Sequence, residues 1–309
     1  MEVPLMSRST TIAVIGLGSM GLGMARSVLS AGHKVRGFDV NRDALSTLEN
    51  EGGVAASSPG DAVDGADIAV VVVVNAAQTE TVLFGEAGIV SAMQPGGVIV
   101  CCATVSPSDA KSFAARTEAA GLLYLDGPIS GGAKKAHSGE LTFMASGSPE
   151  AFVAARPALD AMAATVYELG DQPGVGSSFK IVNQLLAGVH IAAACEAITF
   201  AKSLDLDITR VFDVITKSAG NSWMFENRIP HVLDGDYSPH SAVSIFTKDL
   251  GIVSDIGRQQ KFPLPITAAA LQLFIMTEAA GMGPDDDSSV ARLLAQITGL
   301  HLPGMPEKE

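Results

Sequence analysis

Residues 10–21, TTIAVIGLGSMG, constrain this chain more than any other stretch. A β-branched apolar run meets three glycines, Gly16, Gly18 and Gly21, and a helical pattern, MARSVLSAG, follows at once. In a strand–turn–helix of this kind the first glycine permits the tight turn, the second clears space for phosphates, and the third lets the helix lie close on the strand. The opened helix directs free N–H groups and its positive dipole end at an anion. Leu17, Ser19 and Met20 complete the expected contact surface. A second strand, HKVRGF, runs into Asp39, about 20 residues past the glycines, where a carboxylate reaches a ribose 2′-hydroxyl. The ligand expected is NAD, with Asp39 disfavouring a 2′-phosphate and Arg42 placed where it can accept one.

The chain has 309 residues, enough for two domains, and its apolar fraction of 47% against 17% charged describes globular structure. A net charge of −13 with no cluster of Lys and Arg leaves no field for a polyanion, so nucleic acid is not an expected partner. The run Ile68–Val74 is too short to span a bilayer and fits a central strand buried on both faces. Residues 1–9 hold no long apolar stretch. The expectation is a cytoplasmic protein that does not enter a membrane. Cys101, Cys102 and Cys195 lack ligand spacing and read as buried thiols; no metal is expected.

Strands at 10–16, 34–39 and 67–74 and one ending at Thr104 alternate with helices at 19–31, 41–50, from Gln78, and from Ser106-Pro107 to Ala120. Residues 51–65 read as a polar connection. This is a Rossmann-type doubly wound, mainly parallel sheet, whose ligand lies beyond the carboxyl ends of the strands. Asn75 and Thr104 stand at such ends and are candidate cofactor contacts, although either residue type also caps helices. The loop Pro128-Ile129-Ser130-Gly131-Gly132 offers successive N–H groups beside a hydroxyl, which suits a carboxylate. After a helix at 149–162 and a strand at 165–169, Pro173 and Gly174 mark a boundary. The domains expected are 8–173, nucleotide-binding, and 174–309, all-α.

Ser177 or Ser178 is the expected cap of the helix opening the second domain, which stays apolar nearly all round to Leu204. Lys180 lies in its first turns, with Asn183 and Gln184 on the same face. Desolvation and the helix dipole both disfavour the ammonium form of such a lysine and tune it for acid–base work. The alternative is a lysine whose amine reaches solvent. His137, His190 and His231 are rival proton carriers without a surrounding motif. Helical spacing continues to Thr298, broken at Gly220, Gly235, 263–265 and 281–284. The large apolar share of these helices suggests a homodimer or homotetramer.

A nucleotide turn, an anion loop and a lysine form the parts list for hydride transfer with a hydroxy acid. GLGSMG at 16–21, D-x-P-x-S-G-G at 126–132 with its GELTFMASG continuation, G-x-G-x-x-x-K at 174–180 and K-D-L at 248–250 together resemble the β-hydroxyacid dehydrogenases. Within that family NQLLAGVHIAAACEA, AGNSWMFENR and VLDGDYSPHSAVSIFTKDLG look most like the L-threonate dehydrogenase branch. The resemblance implies NAD-dependent oxidation of L-threonate to 2-dehydro-L-erythronate. It also implies Lys180 as the catalytic lysine, Ser130, Gly131 and Gly132 as the substrate-carboxylate loop, and Thr104 and Lys248 as cofactor contacts. Either Asn183 or Gln184 then faces the substrate, and the stretch Asn221-Ser222-Trp223-Met224-Phe225 lines its pocket unless it forms an aromatic core cluster. Other small hydroxy acids (3-hydroxyisobutyrate, glycerate, tartronate semialdehyde) remain alternatives, and so does a non-catalytic dinucleotide sensor.

Overall fold

The computed structural model describes residues 9–306. The backbone divides into two compact units, one ending at Lys180 and the other beginning at Ile181.

The first unit alternates strands and helices: β1 Thr11–Ile15, α1 Ser19–Ser30, β2 Lys34–Phe38, α2 Arg42–Asn50, β3 Val54–Ala55, α3 Pro59–Ala62, β4 Ile68–Val71, α4 Ala76–Phe84, α5 Ile89–Ala92, β5 Val98–Cys101, α6 Pro107–Ala119 and β6 Leu123–Asp126. Then come β7 Ile129–Ser130, α7 Gly132–Ser138, β8 Leu141–Ala145, α8 Pro149–Met162, β9 Ala163–Glu168 and the start of α9, Val175–Ser203. The main sheet has the order β3-β2-β1-β4-β5-β6, and every pair in it is parallel. A small second sheet, β7-β8-β9, joins an antiparallel to a parallel pair. The doubly wound sheet is therefore as the sequence reading has it. Successive residues of β1 serve opposite cores: Ile12 and Val14 pack with α1 and α8, Ala13 and Ile15 with the α3–α6 side. Burial on both faces explains why the central strands are almost wholly Val, Ile and Ala.

Two expectations fail locally. The polar connection 51–65 holds β3 and α3, too short and too polar for periodicity to reveal. β5 ends at Cys101, so Thr104 lies past the strand on the approach to α6, which Ser106 caps as expected.

The second unit is all helical: the rest of α9, then α10 Ile208–Ile215, α11 Trp223–Asp234, α12 Val243–Gln259, α13 Pro265–Thr277 and α14 Val290–Thr298. A π turn, Glu278–Met282, and a 3₁₀ turn, Asp287–Ser289, separate the last two. Gly235 ends α11 in the left-handed conformation and Pro265 opens α13, two of the breaks read from the sequence. Ile191, Ile198, Ile229, Phe246, Leu250 and Phe274 are among the core residues. By length and composition Val175–Ser203 and Pro265–Met282 are apolar enough to cross a membrane, with 50% and 28% of the residues buried in the protein.

In this unit a histidine–carboxylate pair joins α11 to the turn before α14. His231 Nδ1 meets Asp286 Oδ1 at 3.0 Å, and the same carboxylate accepts from the backbone N–H groups of His240 and Ser288 and from Ser288 Oγ. The Asp286 bond raises the His231 imidazole above its ordinary range. Burial pushes Asp286 up, but His231 and Ser288 outweigh it and bring it to about 2. Beside it, burial lifts Asp287 to about 6 despite Arg228 at 2.7 Å. A histidine raised on folding stabilises fully below its unfolded value of about 6.5, and that stability is lost as pH climbs through the folded value. Asp287, also raised, is lost earlier, between about 4 and 6. Asp286, lowered, fails only under acid, as pH falls toward about 2. Thermal melting is therefore expected to drop by a few degrees between pH 6 and pH 8.5, at about 2–4 °C per kcal/mol for a domain of this size. Melts of H231A should lack most of that slope. An equal slope in the variant would remove the assignment to His231.

Candidate active site

The nucleotide turn sits where the sheet order reverses, between β1 and β4. Gly16 has φ +93°, and a Cβ there would lie 2.4 Å from the Val72 carbonyl oxygen. A Cβ on Gly21 would lie 1.8 Å from the Gly16 carbonyl oxygen. Those two positions hold turn, helix and strand together as the motif requires. Gly18 differs: nothing lies within 4 Å of where its Cβ would be, and it stands at the N-cap of α1 with no side-chain cap on the helix. Open space before an uncapped helix end, at a topological switch point, fits a pyrophosphate.

Asp39 follows β2 and is half-buried. Its Oδ2 accepts from Leu17 N at 2.6 Å and its Oδ1 from Asn41 N at 2.7 Å, so the carboxylate also braces the glycine turn. Arg42 opens α2 and is exposed. Asn75 caps α4, accepting from Gln78 N at 2.8 Å, the capping role weighed against cofactor contact. Thr104 is half-buried.

The loop at 128–132 is more ordered than a bare turn. Ile129 and Ser130 pair with Phe143 and Thr142. Gly131 and Gly132, with φ +139° and +77°, then swing the chain into α7. That helix lies on α1, where Ser27 Oγ donates to the Ala136 carbonyl at 2.7 Å and Gly23 leaves no room for a Cβ against His137 N. The loop is thereby fastened to the helix that opens at the nucleotide turn.

Lys180 is 7% exposed, and its Nζ donates to the Ile129 carbonyl at 2.8 Å. The alternative of a lysine reaching solvent is overturned, because α9 turns this side chain onto the loop. The expected serine caps are also corrected. The helix begins at Val175, ahead of Ser177 and Ser178, and Ser178 Oγ donates back to the Gly174 carbonyl. The early N–H groups go to the side chains of Asp126 and Ser146, distant in sequence and unreadable as caps from local pattern.

Within the second unit, Asn183 Nδ2 donates to Gln184 Oε1 at 2.9 Å, Gln184 Nε2 donates to Asp249, and Lys248 Nζ pairs with the same carboxylate. Gln184 is buried and bonded at both ends of its amide. Asp249 has no assigned role in the sequence reading, although K-D-L contains it. Trp223 is 55% exposed and stands outside the core, whereas Phe225 is buried and stacks on Phe212, so the aromatic core reading holds for Phe225 and not for Trp223. Ser222 caps α11, and Asn221 Nδ2 donates to the Thr216 carbonyl and to Glu226 while its buried Oδ1 has no hydrogen-bond partner among the described residues. All three cysteines are buried and free, and burial pushes the Cys101 thiol up to about 11.

The sequence matches two family profiles. Residues 11–170 match the NAD binding domain of 6-phosphogluconate dehydrogenase, and residues 174–294 match the NAD-binding region of NADP-dependent 3-hydroxyisobutyrate dehydrogenase. An L-threonate dehydrogenase of Cupriavidus necator is 51% identical over 299 residues, covering 97% of this chain and all of the relative. The chain belongs to the β-hydroxyacid dehydrogenase family. Family membership extends to an Escherichia coli L-threonate dehydrogenase, 46% identical over 95% of this chain and 96% of that protein. A crystal structure of a 3-hydroxyisobutyrate dehydrogenase from Salmonella typhimurium superposes with TM-score 0.88 at 48% identity, covering 92% of this chain and 100% of the other. As a member of this family, the chain is an oxidoreductase with NAD as cofactor.

Proposed function

We propose that the chain oxidises L-threonate to 2-dehydro-L-erythronate, with Lys180 as acid and base. The observation that carries the reading is the Lys180 amine, buried and 2.8 Å from the Ile129 carbonyl, one residue from Ser130. Ser130, Gly131 and Gly132 bind the substrate carboxylate, and neutral Lys180 takes the hydroxyl proton as the carbon loses hydride. Bound NAD supplies the hydride acceptor. In the reverse direction Lys180 gives the proton back and its charge stabilises the developing alkoxide. Gly16, Leu17, Gly18, Ser19, Met20, Gly21, Asp39, Asn75, Thr104 and Lys248 are assigned to the cofactor. Of the two amides, Asn183 is assigned to the substrate and Gln184 to its support, because both ends of the Gln184 amide are already bonded. Asn221 and Trp223 are assigned to the substrate pocket, with Asn221 and Ser222 meeting the additional hydroxyls of a polyol acid; a site built to bond a hydroxyl rejects acids lacking it by large factors.

The functional boundary falls at 173/174, where the helix bearing Lys180 begins, and the protein is cytoplasmic. Exposed Phe200, Leu204 and Ile266 favour a homodimer or homotetramer over a monomer.

NADH formation with L-threonate tests the substrate. kcat/KM for L-threonate is expected to exceed that for 3-hydroxyisobutyrate, glycerate and the reverse reaction of tartronate semialdehyde. Substituting NADP should lower it at least about tenfold, since Asp39 repels a 2′-phosphate. A preference for another acid replaces the substrate assignment. No turnover with any of them favours the sensor reading.

A further inference from the structure

Asp126 ends β6 and is 1% exposed, yet the proton transfer proposed above gives it no task. Its Oδ2 accepts from Gly174 N and from Ser177 N, each at 2.8 Å, and its Oδ1 from Ser177 Oγ at 2.7 Å. Ser146, bridged to Asp126 through the backbone, accepts from Gly176 N at 2.9 Å and turns its own hydroxyl toward Asp126 at 3.4 Å. Every polar neighbour donates to this carboxyl group, so it acts as an acceptor only. Burial raises its pKa, and those donors oppose the rise. Three N–H groups at the start of α9, which its own sequence does not cap, are thus held by two side chains from the ends of β6 and β8. The contact is close: a Cβ on Gly176 would lie 2.3 Å from the Met144 carbonyl oxygen.

The strand that ends in Asp126 runs on to Ile129, whose carbonyl accepts from Lys180. One short segment, 126–129, therefore grips α9 at its first turn through Asp126 and a turn later through Lys180. The geometry points to Asp126 as a positioning residue: by fixing the first turn of α9 to the segment that carries the Ile129 acceptor, it sets where the Lys180 amine stands beside Ser130. This rests on the reading of Lys180 as acid and base. A misplacement of about 1 Å at a reacting group lowers turnover by about 10²-fold, while the nucleotide turn at 16–21 lies outside the segment that this registry sets.

The isosteric variant D126N tests it, because an amide presents N–H to at least one of the donors it must accept from. With L-threonate and NAD, kcat is expected to fall about 10- to 100-fold. KM for both substrates and the affinity for NADH should stay within about threefold, as for loss of a transition-state interaction alone. Amide hydrogen exchange over residues 174–180 should quicken. S146A, which removes the acceptor for Gly176 N, should shift kcat and exchange the same way by less, and it decides the matter should D126N fail to fold. Faster exchange with kcat within twofold overturns the proposal, as does unchanged exchange, or a fall in kcat matched by loss of NADH binding. Exchange does not depend on chemistry. Near-normal turnover in a Lys180 variant would therefore remove the acid–base reading while D126N still reports on the cap.

Discussion

K180A is expected to lower kcat for the hydroxy acid by about 10²–10⁴-fold, the usual contribution of a positioned acid–base group. NADH affinity should change by no more than about threefold, because the role proposed for the lysine is on the substrate hydroxyl and not on the dinucleotide. Two features single this lysine out. It is almost wholly buried, and its hydrogen bond of 2.8 Å to the Ile129 carbonyl holds it next to Ser130. K180R should be about as damaging as K180A, because a guanidinium keeps the charge but cannot release its proton near neutral pH. Steady-state kinetics and fluorescence titration with NADH separate these effects. Turnover within about tenfold of wild type in K180A would reassign the base.

What the sequence made legible, and what it hid, follows from range. The turn at 16–21, the alternation of strands and helices and the breaks at Gly235 and Pro265 are local signals, and the fold honours them. Lys180 was identifiable from its place near a helix start, but its burial was not, since that depends on Ile129, 51 residues away in sequence. The capping of α9 failed to read for the same reason. Ser177 has the right side chain for a cap at the wrong position, and the acceptors that serve the helix come from Asp126 and Ser146, tens of residues earlier. Asp126 carried a signal nonetheless, as the first residue of D-x-P-x-S-G-G. Between Asn183 and Gln184, equal on a helical wheel, only the presence of Asp249 beside Gln184 makes a difference.

Two alanine substitutions in the glycine turn should separate folding from cofactor binding. In G21A the new Cβ would stand 1.8 Å from the Gly16 carbonyl oxygen and 2.9 Å from its carbon. Both are backbone atoms, so no rotamer change relieves the clash, and α1 must move away from β1 and β4. Overpacking of this sort costs about 1–3 kcal/mol or more, which is a Tm lower by about 2–4 °C per kcal/mol. NADH affinity should fall as well, because the displaced helix carries the N–H groups meant for the pyrophosphate. In G18A the Cβ meets nothing within 4 Å, and the residue has φ −64° and ψ −169°, open to any L-amino acid. Its Tm should therefore stay within about 2 °C of wild type, while NADH binding weakens at least about tenfold because the methyl group occupies the phosphate's approach. Thermal melts and NADH titrations of the two proteins check the pair. Equal NADH affinity in G18A would mean that the pyrophosphate does not pass over Gly18, and an unchanged Tm in G21A would mean that α1 can leave the strand without loss.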